Sequence, residues 1–332
     1  MSARGKVGLA AVFALSLVTW GAASQPARSA NANTACGRDC LTGIAKSYLA
    51  AVVAGNPSAA PLAANIAFVE NVTRMKPGEG LWANAASGPT DFAVYVPDTE
   101  QQQVGFLGVM EREGEQGNEP VIVAVRLKLE RGAITEAEHI VAAANANNMG
   151  RLRTPRSGLR SEVPVGNRQS YADLSKIGLS YYDALDDNDG SLMPFADDCQ
   201  RHENGMITAG PEAGQGPNAD PNRAPVARLC GPQLDSQSFV YIDRIENRRL
   251  IAADPVTGLA MGFSHFRHPF TNLPYDVIHT DGSKSQRNKD NMRFDPFDMP
   301  AAHIFKIGAD GLVHEIEAVG FVALYDSPTG WE

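Results

Sequence analysis

Beyond its first 24 residues, the 332-residue chain has no apolar run long enough to cross a membrane as a helix. It has no glycine-rich phosphate loop opening a helix, no Gly-x-Ser-x-Gly nucleophile elbow and no His-Glu-x-x-His pair. Nucleotide-dependent, serine-hydrolase and zincin chemistries are thereby set aside. Positive charge is also short: 29 lysines and arginines stand against 38 aspartates and glutamates, for a net charge of −9. So acidic a chain is a poor partner for nucleic acid or anionic membrane surfaces. Cysteine is scarce as well, at four residues.

The first 24 residues read as a secretory signal peptide. Arg4 and Lys6 make a basic start, Val7 to Val18 is apolar, and Ala22-Ala23-Ser24 offers the small residues that a signal peptidase reads. Cleavage is expected before Gln25, with an uncleaved anchor as the alternative that the short apolar run disfavours. Cleavage removes two positive charges and no negative ones, taking −9 to −11. The mature chain is then expected to be secreted, extracellular or periplasmic, where cysteines form disulfides. Four cysteines allow three pairings. Cys36 with Cys40 and Cys199 with Cys230 is preferred, because each pair shares a segment. A zinc site is the competing reading, but neither pair has the two-residue spacing of a zinc knuckle.

The stretch from Ser180 to Ser191 crowds Asp183, Asp186, Asp187, Asn188 and Asp189 ahead of Gly190. Placing Gly190 at the sixth position of a calcium loop puts Asp187 and Asp189 on ligand positions, but Leu185 and Ala196 fall on the first and last. No calcium loop is expected, and no metal or organic cofactor is assigned.

An internal repeat explains the stretch better. Residues 41–71 align without a gap on 174–204, with ten of 31 positions identical. That is enough to call a duplicated unit. Leu41, Ile44, Tyr48 and Val52 fall on Leu174, Ile177, Tyr181 and Leu185, whose steps trace one face of an amphipathic helix. Both copies end on Glu-Asn, at Glu70-Asn71 and Glu203-Asn204. A second match closes each half: residues 132–138 align with 311–317, each a glycine turn after an apolar-Lys-apolar strand, which reads as a β-hairpin.

The organisation follows: a first unit at 36–147, a linker at 148–171 and a second unit at 172–332 with loop insertions at 209–233 and 269–300. The linker carries Arg151, Arg153, Arg156 and Arg160 with two prolines and no apolar period. Its arginines are expected to be solvated rather than to form a polyanion patch. Long loops such as 269–300 are either disordered or functional lids.

A long helix, a short connection, a strand and a meander ending in such a hairpin resemble the nuclear transport factor 2-like superfamily, which includes SnoaL-like polyketide cyclases, ketosteroid isomerase and scytalone dehydratase. The phrases carrying the resemblance are Pro194 to Gly205, Phe305 to Glu317 and the closing Ser327-Pro-Thr-Gly-Trp331. More narrowly, the chain is similar to secreted proteins built from two such units in tandem. The resemblance implies an α+β fold: two cystatin-like cones, helices packed on a curved antiparallel sheet around a pocket. It also implies cofactor-independent proton-transfer chemistry, although the motif specifies fold better than chemistry.

Six of the seven histidines lie in the second half, which suggests that this lobe carries the site. On the strand after Gly258, Leu259, Met261 and Phe263 share a face with His265, so that histidine points into a core or pocket. His268 falls on the opposite face, and the two cannot ligate one metal on a regular strand. His303 shares a face with Phe305 and Ile307, and His314 with Leu312 and Ile316. Arg201 and Glu203 share a face, with His202 and Asn204 on the other. A Glu and an Asn kept in both halves are also explained by a structural role, as Tyr181 is by the core stripe.

The expected function is a secreted enzyme acting on a small organic substrate by acid–base chemistry, of isomerase, dehydratase or lyase type. Glu203 is the expected acid/base, with His265 or His314 as proton partner. Arg201, Tyr182, His303 and His268 are the expected substrate contacts, Arg201 on an anionic group, and 269–300 is the expected lid. The alternatives are a non-catalytic binding or interaction protein and a metal-assisted site using His303, His314 and an acid. The expected partners are a small molecule and the other lobe or a second copy, with no nucleic acid and no membrane after cleavage.

Overall fold

A computed structural model of the protein describes residues 35–214 and 227–332. The expected signal peptide, residues 1–24, lies outside the described residues. Among the described residues no helix is long and apolar enough to cross a membrane.

Each half opens on a 16-residue helix, α1 (Arg38–Val53) and α2 (Tyr171–Asp186). The repeated stripe is the buried one: Leu41, Tyr48 and Val52 in α1, and Leu174, Tyr181 and Leu185 in α2. Ser170 caps α2 by accepting a hydrogen bond from the Asp173 amide at 3.1 Å. Both helices stop in the same way. Gly55 and Asn188 take left-handed φ angles of 58° and 50° one residue past the helix cap, a conformation that glycine and asparagine tolerate best. The acidic stretch is thus a helix exit. Asp189 accepts from the Ser191 amide at 2.8 Å, and Asp183 and Asp186 both pair with Arg248.

The first sheet holds β1 (Leu62–Glu70), β2 (Thr73–Met75), β3 (Ala85–Ser87), β4 (Ala93–Asp98), β5 (Gln103–Gly114), β6 (Gly117–Glu130) and β7 (Ala133–Ala143). The second holds β8 (Phe195–Glu203), β9 (Met206–Ala209), β10 (Arg244–Asp254), β11 (Leu259–His268), β14 (Phe297–Ile307), β15 (Val313–Gly320) and β16 (Ala323–Leu324). A separate hairpin of β12 (Tyr275–Ile278) and β13 (Lys284–Arg287) lies within the 269–300 insertion. The sheet orders are β2-β1-β7-β6-β5-β3, with β4 on β5, and β10-β11-β14-β15-β8-β9, with β16 on β14. In each sheet one pair is parallel, β1 with β7 and β8 with β15. The repeat seen in sequence is therefore a repeat of topology, and the fold is α+β in two units.

Alternation along the strands divides the core. Val121, Val123, Val125 and Leu127 of β6 pack under α1, while Ile122 and Ala124 face the other way. On β11, Ala260 and Phe266 face α2, and Leu259, Met261 and Phe263 face away from it. The outward faces of both sheets merge into one shared core, with Leu107, Val109 and Ile122 against Ile251, Met261 and Ile304. The sheets therefore stand back to back, each with its helix on the far side. Each such side chain contributes about 1.5–3 kcal/mol on burial. Gly105 is held small by this contact, since a Cβ there would collide with Met261.

In the connection between the units Arg151, Arg153 and Arg160 are exposed, as expected from its charge, but Arg156 and two leucines turn inward. Leu152 and Leu159 are buried in the shared core. Arg156 donates to the carbonyls of Gln200 and Ile316 at 2.9 Å and pairs with Glu315 and Glu317 at 3.3 Å. Its burial is compensated by these partners. The matching glutamate of the first unit, Glu138, binds Arg249 of the second sheet through both oxygens at 2.7 and 2.8 Å.

Both expected disulfides form, Cys36–Cys40 and Cys199–Cys230. The second ties β8 to the short helix Cys230–Asp235, which carries Gln233 to Arg201. Replacing Cys199 and Cys230 together by serine is expected to lower the unfolding free energy by about 3 kcal/mol. Chemical denaturation measures it, and an unchanged midpoint would show that the bond constrains nothing.

Candidate functional site

The second unit contains a pocket of about 200 Å³ where β8 and β15 end. Tyr181 and Leu185 of α2 form one side, and Phe239 and Tyr241, ahead of β10, another. Phe266 and His268 of β11, Phe297 and His303 of β14, Ala318 of β15 and Glu203 complete it.

Comparison with the first unit explains why this cone is hollow. Parallel pairing sets Glu70 opposite His139 on β7 and Glu203 opposite Ala318 on β15. In the first unit the His139 ring fills the space. Its Nε2 is 2.9 Å from the Tyr48 hydroxyl, and its Nδ1 is 3.0 Å from Glu70. Phe68 packs edge-on against the same ring at 4.9 Å, and Trp82 against Tyr48 at 5.2 Å. Glu70 also accepts the Leu81 amide at 2.9 Å. The chain Tyr48–His139–Glu70 is a buried, hydrogen-bonded plug. In the second unit Tyr181 and Glu203 keep their places but the imidazole is gone, and Phe68 is replaced by Arg201.

The Asn of the repeated Glu-Asn pair is structural in both units. Asn71 exchanges two hydrogen bonds with the Val141 backbone at 2.8 and 2.9 Å. Asn204 does the same with Gly320 at 3.1 and 2.9 Å. Only the glutamate has diverged, from a plug in one cone to a pocket wall in the other.

Arg201 is almost wholly buried. Its Nε lies 2.9 Å from Glu203 and 3.0 Å from the Thr208 hydroxyl, while its terminal nitrogens reach Gln233 at 2.5 Å and Tyr181 at 3.4 Å. Phe239 covers the guanidinium at 5.2 Å. A buried charge requires such partners, and they commit Arg201 to positioning Glu203. Burial raises the Tyr181 hydroxyl to about 12, although Arg201 works against the shift. Burial, helped by Arg201, lowers His303 to about 3. Burial also lowers His268 to about 4. Both imidazoles are therefore neutral at neutral pH, each carrying one donor and one acceptor. His303 Nδ1 is 3.4 Å from the Tyr182 hydroxyl, and His268 Nδ1 has no hydrogen-bond partner.

Of the residues singled out from sequence, Glu203, His268 and His303 meet at this pocket. Arg201 and Tyr182 stand behind it. Tyr182 lies against Gly262, where a Cβ would run into its hydroxyl. His265 is elsewhere. The apolar stripe that it continues faces the shared core, so parity sends His265 away from the cone. There its Nε2 lies 3.0 Å from the Ser327 hydroxyl. Asp298 and Arg267 hold the same serine, by its amide at 2.7 Å and its carbonyl at 3.0 Å. Trp331 then lies against Arg74 and Arg126 of the first sheet. The closing Ser-Pro-Thr-Gly-Trp is thus a clasp between sheets, and His265 is part of it. His314 sits on the outer hairpin, 2.6 Å from Asp198 and 3.1 Å from Asp310. Partial burial lowers its pKa, but these two carboxylates outweigh that and raise it. His303 and His314 do not converge, and among the described residues no three His, Cys, Asp or Glu are grouped to hold a metal ion.

Sequence reasoning missed Phe266, Tyr241, Phe297 and Ala318. The aligned hairpins stop at Glu138 and Glu317, and the informative pair, His139 against Ala318, is the next residue on. Restoring the imidazole tests this. Ala318→His is expected to bridge Tyr181 and Glu203, fill the pocket and abolish ligand uptake while the protein stays folded. A crystal structure of the variant with the pocket still open would refute the account.

The buried histidines also make a prediction about pH. His202 is lowered to about 3 by burial and by Arg156 and Arg151, so it joins His268 and His303. Each takes up its proton in the unfolded chain near pH ~6.5, so their contribution is full above that pH and is lost as pH falls. Glu317 works the other way. Burial raises it to about 8 against the opposing pull of Arg156, so its contribution is lost as pH rises toward 8. The histidines outnumber it, and each proton adds a slope of about 1.4 kcal/mol per pH unit. Stability is expected to fall steadily from pH ~6.5 to ~4.5 and more gently from ~6.5 to ~8. Denaturant midpoints across that range test this, and His303→Phe should flatten the acid limb. A midpoint that rises on acidification would contradict it.

No curated protein matches the chain. The family model for a domain of unknown function, DUF8021, matches residues 167–320, the end of the connection and most of the second unit. Among solved structures, a candidate polyketide cyclase of Silicibacter sp. TM1040 is 16% identical, with a TM-score of 0.28 over 47% of this chain and 93% of that one. A hypothetical protein of Catenulispora acidiphila with a ketosteroid isomerase-like fold, solved with trimethylamine, is 16% identical, with a TM-score of 0.24 over 34% and 93%. A candidate polyketide cyclase of Xanthomonas campestris is 14% identical, with a TM-score of 0.26 over 46% and 91%. At these scores the site has to be read from its own geometry.

Proposed function

We propose that the protein is a secreted, cofactor-independent acid–base enzyme whose second unit encloses a small, largely apolar organic substrate. The observation that carries this reading is the meeting, in one aromatic pocket, of an ion-paired carboxylate with two imidazoles that burial keeps neutral. Glu203 takes a proton from the substrate. A neutral imidazole N–H, of His268 or His303, donates to the oxygen on which negative charge develops. Return of the proton at another carbon gives isomerisation. Departure of hydroxide, protonated to water, gives dehydration. Arg201 holds Glu203 in place and shares its charge. The two disulfides and the basic-apolar leader support secretion.

A binding protein for an apolar ligand is the second reading, favoured by the dominance of Phe239, Phe266, Phe297 and Met299 in the lining. A metabolite-depletion screen separates the two. Glu203→Gln is expected to lower turnover at least about 100-fold while the ligand still co-purifies. No turnover by either form, with equal co-purification, would sink the enzyme reading and leave the binding one.

A further inference from the structure

The aromatic lining does not end at the pocket mouth. Phe297 stacks on His268 at 4.4 Å and 15°, and Tyr241 lies 5.6 Å from the same ring. Phe270 is parallel to Tyr241 at 6.2 Å and 8°, and Phe294 to Phe270 at 5.5 Å and 20°. Phe294 is 58% exposed, unusual for so large an apolar ring. Phe270 holds a left-handed φ of 55°, a strained conformation for a bulky residue of the kind that collects at ligand sites. These rings open onto a groove of about 650 Å³ between the segments that leave β11 and enter β14. Leu273 and Met292 share its lining with Lys289, Arg293 and Asp295. It thus offers two cations against one acid in a chain of net charge −9.

We propose that this groove is an outer subsite of the second-unit pocket, and that the molecule spanning both is an elongated planar aromatic carrying an anionic group. The inference rests on the reading of the inner pocket as a ligand site. Ring faces seat against Phe270 and Phe294, which already stand in parallel array. The anionic group meets Lys289 and Arg293, whose charge the surrounding acidity makes locally distinctive. Arg293 is oriented by its Nε, which donates to the Asp290 carbonyl at 2.7 Å. Arg201 leaves this role open, since its guanidinium is taken by Glu203 and Gln233.

The test is a fluorescence titration of the full chain with two probes of one ring system, 8-anilinonaphthalene-1-sulfonate and the uncharged N-phenyl-1-naphthylamine. Lys289→Gln with Arg293→Gln is expected to weaken the sulfonate about fivefold and leave the neutral probe unchanged. Phe294→Ala, at a position 58% exposed, is expected to weaken both about fivefold. Ala318→His reports on the inner pocket separately. If it abolishes binding of both probes while the groove variants change nothing, the subsite is overturned and the inner pocket stands. If the groove variants act as expected and Ala318→His has no effect, the inner reading fails and the groove is a site of its own, which overturns the spanning molecule. A concentration-dependent dimer that Phe294→Ala dissociates would assign the groove to a second copy and overturn the proposal.

Discussion

The parallel pairing of β8 with β15 is the constraint on which the site depends. It brings the end of one strand beside the end of the other, and so sets Glu203 opposite Ala318. The same pairing in the first unit sets Glu70 opposite His139. One residue then decides between a filled cone and a hollow one. With an imidazole at that position, the tyrosine of the helix and the glutamate of the strand are joined into a satisfied buried chain, which rigidifies the unit. With a methyl group there, the same tyrosine and glutamate face an open space, and a buried arginine holds them.

The division of labour between the units follows from the back-to-back sheets. Because the outward faces share a core, β10, β11, β14 and β15 each commit one face to the first unit, and the connection around Arg156 covers the same side of β8. Only the other face is free to line a pocket. His268 and His303 are on the free face. His202 and His265 are on the committed one, and each is absorbed there: His202 beside Glu317 and Arg156, and His265 in the clasp around Ser327. The first unit thus serves as a scaffold whose own cone is plugged, and the second carries the open pocket with its two neutral imidazoles.

Much of this was legible in the chain. The helix stripe, the duplicated hairpins, the disulfide pairs and the helix exit at Asn188 each depend on local spacing, which the sequence displays directly. The choice of histidine did not depend on local spacing. Parity along β11 correctly separated His265 from His268, but an apolar stripe does not say which of two cores it faces, and the shared core was invisible without the second sheet. Arg156 was misread for a similar reason, because its partners Glu315 and Glu317 lie far along the chain. Arg201 reads in sequence as an anion receptor, but Glu203 and Gln233, the latter delivered by the Cys199–Cys230 bridge, occupy its guanidinium.

The most direct test is crystallographic soaking of small aromatic carbonyl fragments into the wild-type protein. Density is expected in the second cone, between Tyr181, Ala318 and Glu203, with a polar atom of the fragment within hydrogen-bond distance of Glu203 or His268, and none in the first cone. Fragments in the first cone beside His139, or a second cone empty in every soak, would contradict it.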